Sequence, residues 1–174
     1  MTLTFEPADT ARDRETLLRY NIGYVDWIAE HVSARFSLSL ADLLGCPIPD
    51  YVEGALDKFC AGTPPEGVFY LVRRQGVPVG MGGLRTLREG IAEMKRVYVS
   101  LEGRGGGTGA KIVERLIADA RSFGHRQMWL DTAPFMTSAH RLYEAQGFSD
   151  IPAYPEVEVP EALRGDWRFM GRAL

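Results

Sequence analysis

The segment from Ile91 to Phe123 reads IAEMKRVYVSLEGRGGGTGAKIVERLIADARSF, and it predicts a strand, a glycine-rich turn and an amphipathic helix in succession. The strand covers 91–99, and five of the seven residues in 103–109 are glycine. After the turn, an apolar stripe recurs at helical spacing: Val113, Leu116, Ile117 and Ala120. This order brings free backbone N–H groups and the positive end of a helix to one place, where a phosphate can bind.

Glycine is concentrated around this turn. The chain has 19 glycines in 174 residues, and nine of them lie between Gly80 and Gly109. Because glycine loses more backbone entropy on folding than other residues, such a run is costly for a simple connection. Missing side chains let a bulky anion reach the backbone, and Arg104 adds a charge suited to bidentate contacts. We therefore predict an anion-binding loop, with a flexible surface loop as the alternative.

The rest of the chain predicts helices, then an antiparallel meander, then a second helix and strand unit. The expected strands are 3–5, 68–73, 77–87, 91–99, 128–130 and 167–172, and the expected helices are 12–32, 51–60, 110–123 and one that begins at Thr137 or Ser138 and ends near Gly147. Loops are expected at 37–49 and 154–160. No repeat or linker interrupts the pattern, so we predict one domain over 1–174.

Composition excludes several classes of protein. A net charge of −3 gives no general basic field, so we expect no nucleic acid partner. Cys46 and Cys60 lack the spacing of a metal site, and neither His125 nor His140 completes a ligand set, so no metal is expected. The N-terminus lacks a signal-peptide pattern and no apolar run is long enough for a membrane span, which predicts a cytoplasmic protein without a membrane partner.

Two nucleotide-binding signatures compete for the glycine loop. A P-loop requires Lys followed by Ser or Thr, but Lys111 precedes Ile112, so triphosphate hydrolysis is disfavoured. Dinucleotide binding fits better, because Gly105, Gly107 and Ala110 satisfy its pattern and Asp131 stands where a ribose-binding acid is expected. However, only 43 residues follow Asp131, too few for the remaining strands of a doubly wound domain. An NAD-dependent oxidoreductase is therefore the weakest alternative.

A third signature, Arg104-x-x-Gly107-x-Gly109, resembles the glycine motif of the GCN5-related N-acetyltransferase (GNAT) superfamily. The segment 139–148, AHRLYEAQGF, closely resembles another motif of that superfamily, and 91–99 and 129–132 resemble its fourth and fifth strands. The resemblance covers 68–174 in the expected order. It implies an α+β fold, with a mostly antiparallel twisted sheet of about seven strands flanked by helices.

The resemblance also implies transfer of an acetyl group from acetyl-coenzyme A to a primary amine of a small molecule or peptide, by direct attack in a ternary complex. The pyrophosphate of the donor would lie on the glycine loop, and its pantetheine arm would pair with the preceding strand. The implied cofactor-binding residues are Val97, Tyr98, Val99, Arg104, Gly105, Gly106, Gly107, Thr108, Gly109 and Ala110. A homodimer is a further possibility that rests on the resemblance alone.

Two residues are candidates for proton transfer. An alkylammonium with a pKa near 10.4 is neutral in roughly one molecule in 2,500 at pH 7, so a base or a water relay is useful. The resemblance implies Glu93 as this base, with an ion pair on a solvated face as the alternative. It implies Tyr143 as the acid that protonates the departing thiolate, with core packing as the alternative.

The acceptor is the least determined part of the prediction. Many relatives carry Asn seven residues before the tyrosine, where this chain has Met136, so the resemblance implies that a side-chain amide contact to the cofactor is missing here, for which Thr137 or Ser138 could substitute. The resemblance places the acceptor among residues that include Tyr24, Trp27, His31, Tyr154 and Glu156. A non-catalytic acyl-coenzyme A sensor with the same fold stays open as a second function.

Overall fold

One mixed sheet of seven strands organises the chain in the computed structural model, which describes residues 2–174. The strands are β1 (Leu3–Pro7), β2 (Gly67–Arg74), β3 (Val77–Arg88), β4 (Ile91–Val99), β5 (Gln127–Thr132), β6 (Ser149–Asp150) and β7 (Arg168–Ala173). The helices are α1 (Arg14–Phe36), α2 (Leu40–Leu44), α3 (Ile48–Cys60), α4 (Thr108–Ser122), α5 (Thr137–Ala145) and α6 (Glu161–Arg164), and a 3-10 turn covers Leu101–Gly103. The spatial order of the strands is β1-β2-β3-β4-β5-β7-β6.

A single parallel pair interrupts the antiparallel sheet. β4 and β5 run parallel, whereas all other neighbouring strands are antiparallel. The predicted α+β fold with about seven mostly antiparallel strands is thereby confirmed. The doubly wound parallel sheet that dinucleotide binding requires is absent from the described residues, and with it the NAD-dependent alternative loses its support.

Helices cover both faces of the sheet because the strands are apolar on both faces. α4 contributes Ile112, Val113 and Leu116 to a core that also includes residues of α5 and the strands. On the opposite face, α1, α2, α3 and the C-terminal segment pack against the sheet. The last strand shows both environments, since buried Phe169 belongs to one core and fully buried Met170 to the other.

Two local predictions need correction. The expected loop 37–49 contains the short helix α2, which Ser39 caps by accepting a hydrogen bond from the Asp42 backbone and which Gly45 ends at φ 78°. Burial of Leu40 anchors this helix, a tertiary contact that a five-residue helix needs and that local sequence does not show. The α5 helix begins at Thr137 with Met136 at the capping position, so neither Thr137 nor Ser138 is its N-cap.

Candidate active site

The glycine loop, 103–109, leaves open space in front of the first turn of α4, and we call this space the bay. Gly105, Gly106 and Gly107 all have positive φ, at 80°, 60° and 72°, and a Cβ at any of them would meet nothing within 4 Å. A left-handed backbone at three successive residues explains why glycine is used here. The first backbone hydrogen bond of α4 runs from the Lys111 N–H to the Gly107 carbonyl. The N–H groups of 108–110 therefore have no partner within the helix. These groups and the helix dipole suit a pyrophosphate.

Residues 104 and 108 have different parts in this loop. Arg104 is exposed beside the bay, where its guanidinium is free to approach an anion. Thr108 is buried, and its hydroxyl donates to the Gly103 carbonyl at 2.7 Å and accepts from Arg74 at 2.5 Å. The Thr108 side chain therefore braces the loop, and only its backbone is available to a ligand.

The edge of β4 next to the loop lacks a strand partner. β4 and β5 pair only from Ile91 to Glu93, opposite Gln127 to Trp129, although both strands continue further. Val97, Tyr98 and Val99 therefore lie in a stretch of β4 that pairs with β3 alone. We call the unpaired stretch between 94–99 and 130–132 the β4–β5 gap. Extended backbone with free polar groups there is suited to an extended, amide-bearing ligand.

A cavity of about 130 Å³ lies between this gap and the helices of the opposite face. Polar and aromatic side chains on its wall include Tyr24, Lys95, Arg96, Asp131, Glu158 and Trp167. The apolar part of the wall includes Val25, Ile28, Leu40, Leu44, Ala133 and Leu163. The cavity and the glycine loop are both at the end of the sheet where the parallel strands finish.

Glu93 is buried in a network of hydrogen bonds. Its side chain has no exposed area, its Oε1 accepts from the Tyr154 hydroxyl at 2.8 Å, and its Oε2 accepts from Arg85 at 2.7 Å. The Lys95 ammonium lies 3.6 Å from the same Oε2. Glu93 does not line the cavity. The expected solvated ion pair is thus a buried one, and both carboxylate oxygens are already in use.

Two carboxylates line the cavity, and Asp131, close to the end of β5, is the one without an ion pair among residues 2–174. Burial raises its pKa from 3.8 to about 6, against the attraction of Lys95 and with the repulsion of Glu93. A carboxylate with this pKa is ionised at neutral pH and basic enough to accept a proton there. Sequence reasoning considered this residue only for binding a ribose. The feature of the sequence that could have indicated a site residue was an acidic side chain at the end of an apolar strand.

Tyr143 packs into the core and does not line the cavity, although its hydroxyl responds to the charges of two residues that do, Tyr24 and Asp131. The residue is 8% exposed, and its ring meets Phe148 edge-on at 5.9 Å between centroids. Burial raises the pKa of its hydroxyl, and the charges of Tyr24 and Asp131 raise it further. The hydroxyl therefore stays protonated at neutral pH, as a proton donor must.

The predicted acceptor residues separate into different roles. Tyr24 lines the cavity. Trp27 and His31 do not: Trp27 meets Phe135 edge-on at 5.5 Å between ring centroids, and His31 stacks on Phe135 at 4.9 Å. The Tyr154 hydroxyl donates a hydrogen bond to Glu93. Glu156 pairs with Arg88 at 2.6 Å on the surface.

The C-terminal segment closes one side of the cavity through Glu158. This carboxylate pairs with Lys95 at 2.8 Å, Lys58 at 3.0 Å and Arg85 at 3.4 Å. Although burial opposes ionisation, these cations lower the pKa of Glu158 to about 2. Three elements far apart in sequence, α3, β3 and β4, thus hold the segment in place.

Neither a metal-binding cluster nor a membrane-spanning helix is present in residues 2–174. They contain no cluster of three or more His, Cys, Asp or Glu side chains that could hold a metal ion. They also contain no helix long and apolar enough to cross a membrane.

Comparisons with known proteins agree with the fold and the loop. The sequence model of the acetyltransferase (GNAT) family matches residues 37–148. An IAA acetyltransferase of Azospirillum brasilense is 36% identical over 87 residues, which are 49% of this chain and 57% of that protein. The matches cover between 30% and 63% of the lengths of the curated relatives.

Solved structures show the same architecture. An acetyltransferase from Streptococcus agalactiae has a TM-score of 0.70 at 20% identity, with 99% of this chain and 98% of that chain covered. The spermidine N-acetyltransferase of Vibrio cholerae, solved with CoA and spermine, has a TM-score of 0.65 at 16% identity, with 98% and 95% covered.

A mixed sheet with one diverging parallel pair, beside a glycine-rich helix start suited to an anion, defines an acyltransferase-like fold. More specifically, the chain belongs to the GNAT family of acetyltransferases, as the match over 37–148 shows.

Proposed function

We propose that this protein is an N-acetyltransferase, one domain over 1–174, that moves the acetyl group of acetyl-coenzyme A to a primary amine in a ternary complex. The observation that carries the proposal is the glycine loop beside the β4–β5 gap, with a cavity that holds an unpaired carboxylate at the same end of the sheet. Membership of an acetyltransferase family and the amine ligand of the V. cholerae relative support it.

The donor would bind along two neighbouring surfaces. Arg104 and the N–H groups of 105–110 would hold the pyrophosphate, with Gly105, Gly106, Gly107 and Gly109 leaving it room and Thr108 bracing the loop. The pantetheine arm would pair with the free edge of β4 at Val97, Tyr98 and Val99. This arrangement directs the thioester toward the cavity.

The reaction joins the amine nitrogen to the acetyl carbon and breaks the bond between that carbon and sulfur. An alkylammonium loses two protons in the process. One passes to Asp131 and on to solvent before attack, and the other leaves the nitrogen as the product forms. The thiolate takes up one proton, for which the Tyr143 hydroxyl is the proposed donor, and the second proton from the nitrogen returns through solvent to the tyrosinate, so that one proton is released overall.

Asp131 and Glu93 are proposed to have different parts in deprotonation of the amine: Asp131 accepts the proton, and Glu93 contributes a charge close to it. Asp131 faces the amine site and has a pKa of about 6. Glu93 lies behind the cavity wall, where its link to Tyr154 and Lys95 places its charge near the site. The sequence prediction of Glu93 as the base itself stays a prediction, as do the homodimer and the cytoplasmic location.

Calorimetric titration with coenzyme A, followed by thiol release with a panel of amines, tests the proposal. We expect binding below about millimolar concentration, and turnover that falls as the pH drops below about 6. Asp131→Asn should lower kcat by a factor of about 10² or more. Tyr143→Phe should lower kcat less, since a thiolate is a tolerable leaving group. Asp26→Asn, at an exposed position of α1, is the matched control.

Failure to bind coenzyme A would refute the proposal. Binding without thiol release from any amine or peptide would favour the non-catalytic sensor instead. The cavity carboxylate Asp131 supports the enzyme over the sensor, because a sensor has no use for a proton acceptor at that place.

A further inference from the structure

The charges on the cavity wall are not all neutralised by one another. Lys95 and Glu158 pair at 2.8 Å, and Glu158 also meets Lys58 and Arg85. These pairs account for one cation and one anion of the wall. Within residues 2–174, no ion pair engages the other two charged groups that line the cavity, Arg96 and Asp131.

Arg96 is placed at the cavity by an irregularity of β4. Its φ is 54°, and between Met81 and Gly83 of β3 the facing strand advances from Tyr98 to Lys95, one residue more than β3 does. This bulge re-aims a side chain that would otherwise follow the regular alternation. A left-handed, non-glycine residue within a strand is strained, and such strain is concentrated at functional sites.

The contacts of Arg96 fix its guanidinium without neutralising it. Its Nη1 donates to Oδ1 of the buried Asn21 at 3.1 Å, and its guanidinium carbon lies 3.4 Å from the centre of the Phe59 ring. Both partners are uncharged. Burial lowers the pKa of Arg96, yet a guanidinium remains protonated under all ordinary conditions. Arg96 is half-buried and has no carboxylate within ion-pair distance among residues 2–174, so an anionic ligand in the cavity would offset the cost of its partial desolvation.

Tyr24 connects this cation with Asp131. Its ring centre lies 6.0 Å from the Arg96 guanidinium carbon, and its side chain lines the same cavity. Burial raises the pKa of Tyr24 to about 12, with Arg96 opposing the rise and Asp131 adding to it. Arg96, Tyr24 and Asp131 thus line one cavity, and the charges of Arg96 and Asp131 both act on the Tyr24 phenol.

We propose that the acceptor is an amino acid, an amine that also carries a carboxylate, with Arg96 pairing to the carboxylate and Asp131 facing the amine. The proposal rests on the proposed function and names its substrate class. The remaining wall, which includes Val25, Ile28 and Leu44, suits an aliphatic side chain. Spermidine-like polyamines carry no anion and would leave Arg96 without a partner.

Thiol release with three matched acceptors tests this inference: L-leucine, L-leucinamide and 3-methylbutylamine, which have the same side chain with, respectively, a carboxylate, an amide and nothing. We expect kcat/KM for leucine to exceed that for leucinamide and for the amine by at least about tenfold, the value of one charge-assisted contact. The full set of amino acids with their amides extends the comparison to other side chains.

Arg96→Gln should reduce the ratio of leucine to leucinamide turnover from at least about tenfold to about one. Arg88→Gln, which removes a surface arginine outside the cavity, should leave that ratio unchanged. Because the ratio compares two acceptors on one protein, partial loss of folded Arg96→Gln protein does not alter it. Should that variant fail to fold, the three acceptors on the unaltered enzyme decide the question.

Two failures are distinguishable. Turnover of amines and amides at least as fast as of the corresponding amino acids overturns this inference and leaves the proposed function standing. Absence of both coenzyme A binding and thiol release overturns the proposed function itself. Retention of the leucine preference in Arg96→Gln would show that another group recognises the carboxylate, and would overturn the role of Arg96.

Discussion

Glu93 and Asp131 are neighbouring carboxylates in the sheet, and their different surroundings give them different hydrogen bonding and charge compensation. Glu93 lies opposite Trp129, two residues before Asp131 on β5. Arg85 and Tyr154 occupy both oxygens of Glu93, so its charge is compensated and its geometry fixed. Asp131 has no ion pair within the described residues, and burial raises its pKa to about 6. The compensated charge of Glu93 and the uncompensated, raised pKa of Asp131 are the reason that Asp131 is the proposed base.

Asp131→Asn should stabilise the protein at neutral pH while it removes the proposed base. The folded state holds the Asp131 proton more tightly than the unfolded state, with a pKa of about 6 against 3.8, so the free energy of unfolding falls as pH rises through this window. At pH 7 this loss is at most about 3 kcal/mol, and the variant avoids it. Urea unfolding at pH 4 and pH 7 measures the difference, with Asp26→Asn as control. A variant less stable than the parent at pH 7 would contradict this explanation.

Glu93→Gln should destabilise the fold by about 2 kcal/mol, because it leaves Arg85 without its buried partner. The surface pair of Glu156 and Arg88 provides the control, and Glu156→Gln should cost less than about 1 kcal/mol. Thermal and urea unfolding compare the two variants. If Glu93→Gln unfolded like the parent but lost turnover, Glu93 would be a direct participant in proton transfer.

At the scale of elements, the start of α4 depends on backbone shape more than on side chains. The three left-handed glycines turn the chain so that helix N–H groups face open space. The cavity depends instead on an element with little structure of its own, the segment 154–160, which Glu158 ties to α3, β3 and β4. The proposed donor site is therefore supported by backbone conformation, and the proposed acceptor site by ion pairs between distant elements.

Gly106→Ala should weaken coenzyme A binding, because a Cβ at φ 60° strains the loop and enters the bay. We expect the Kd to rise by about tenfold or more, with a loss of about 1 kcal/mol in stability. Gly124→Ala is the matched control, since Gly124 also has a positive φ, 89°, but lies after α4, away from the loop. Calorimetric titration measures both variants. If Gly106→Ala and Gly124→Ala lost the same affinity for coenzyme A, backbone strain would explain the loss, and a Cβ in the proposed binding space would not.

At the scale of the whole molecule, the two halves of the sheet meet through a short parallel contact. Only three residue pairs, Ile91–Gln127 to Glu93–Trp129, join β4 to β5. Beyond them the strands lose contact, and the gap leaves backbone groups of β4 unpaired. The sheet is thus least complete where the proposed donor would bind, so binding should reinforce the molecule at this junction.

Hydrogen exchange should detect that reinforcement. Coenzyme A is expected to slow amide exchange in 94–99 and 105–110, where it would supply missing partners, and to raise Tm with ligand concentration. Amides of β2, which pairs with a strand on each side, should exchange at the same rate with and without the ligand. Mass spectrometry of peptide fragments resolves these segments. Protection confined to other parts of the chain would contradict the proposed donor site.

Local patterns in the sequence determined much of the fold and the donor loop. Apolar periodicity predicted six of the strands and most helices, and the glycine run with Arg104 predicted the bay at the start of α4. These features depend on residues adjacent in sequence, whose backbone preferences and spacing act locally. Helix α2 was not predicted, because the contact that stabilises it is the burial of Leu40 by residues distant in sequence.

The proposed acceptor site depends on tertiary structure. Burial raises the pKa of Asp131, and that burial comes from residues far away in the chain. Arg96 faces the cavity because β4 bulges against β3, and Glu93 is withdrawn from it because Arg85 and Tyr154 engage its oxygens. Sequence alone specified which titratable groups exist and on which strands they lie. Their charge, solvation and direction depend on packing between distant elements, which only the folded chain establishes.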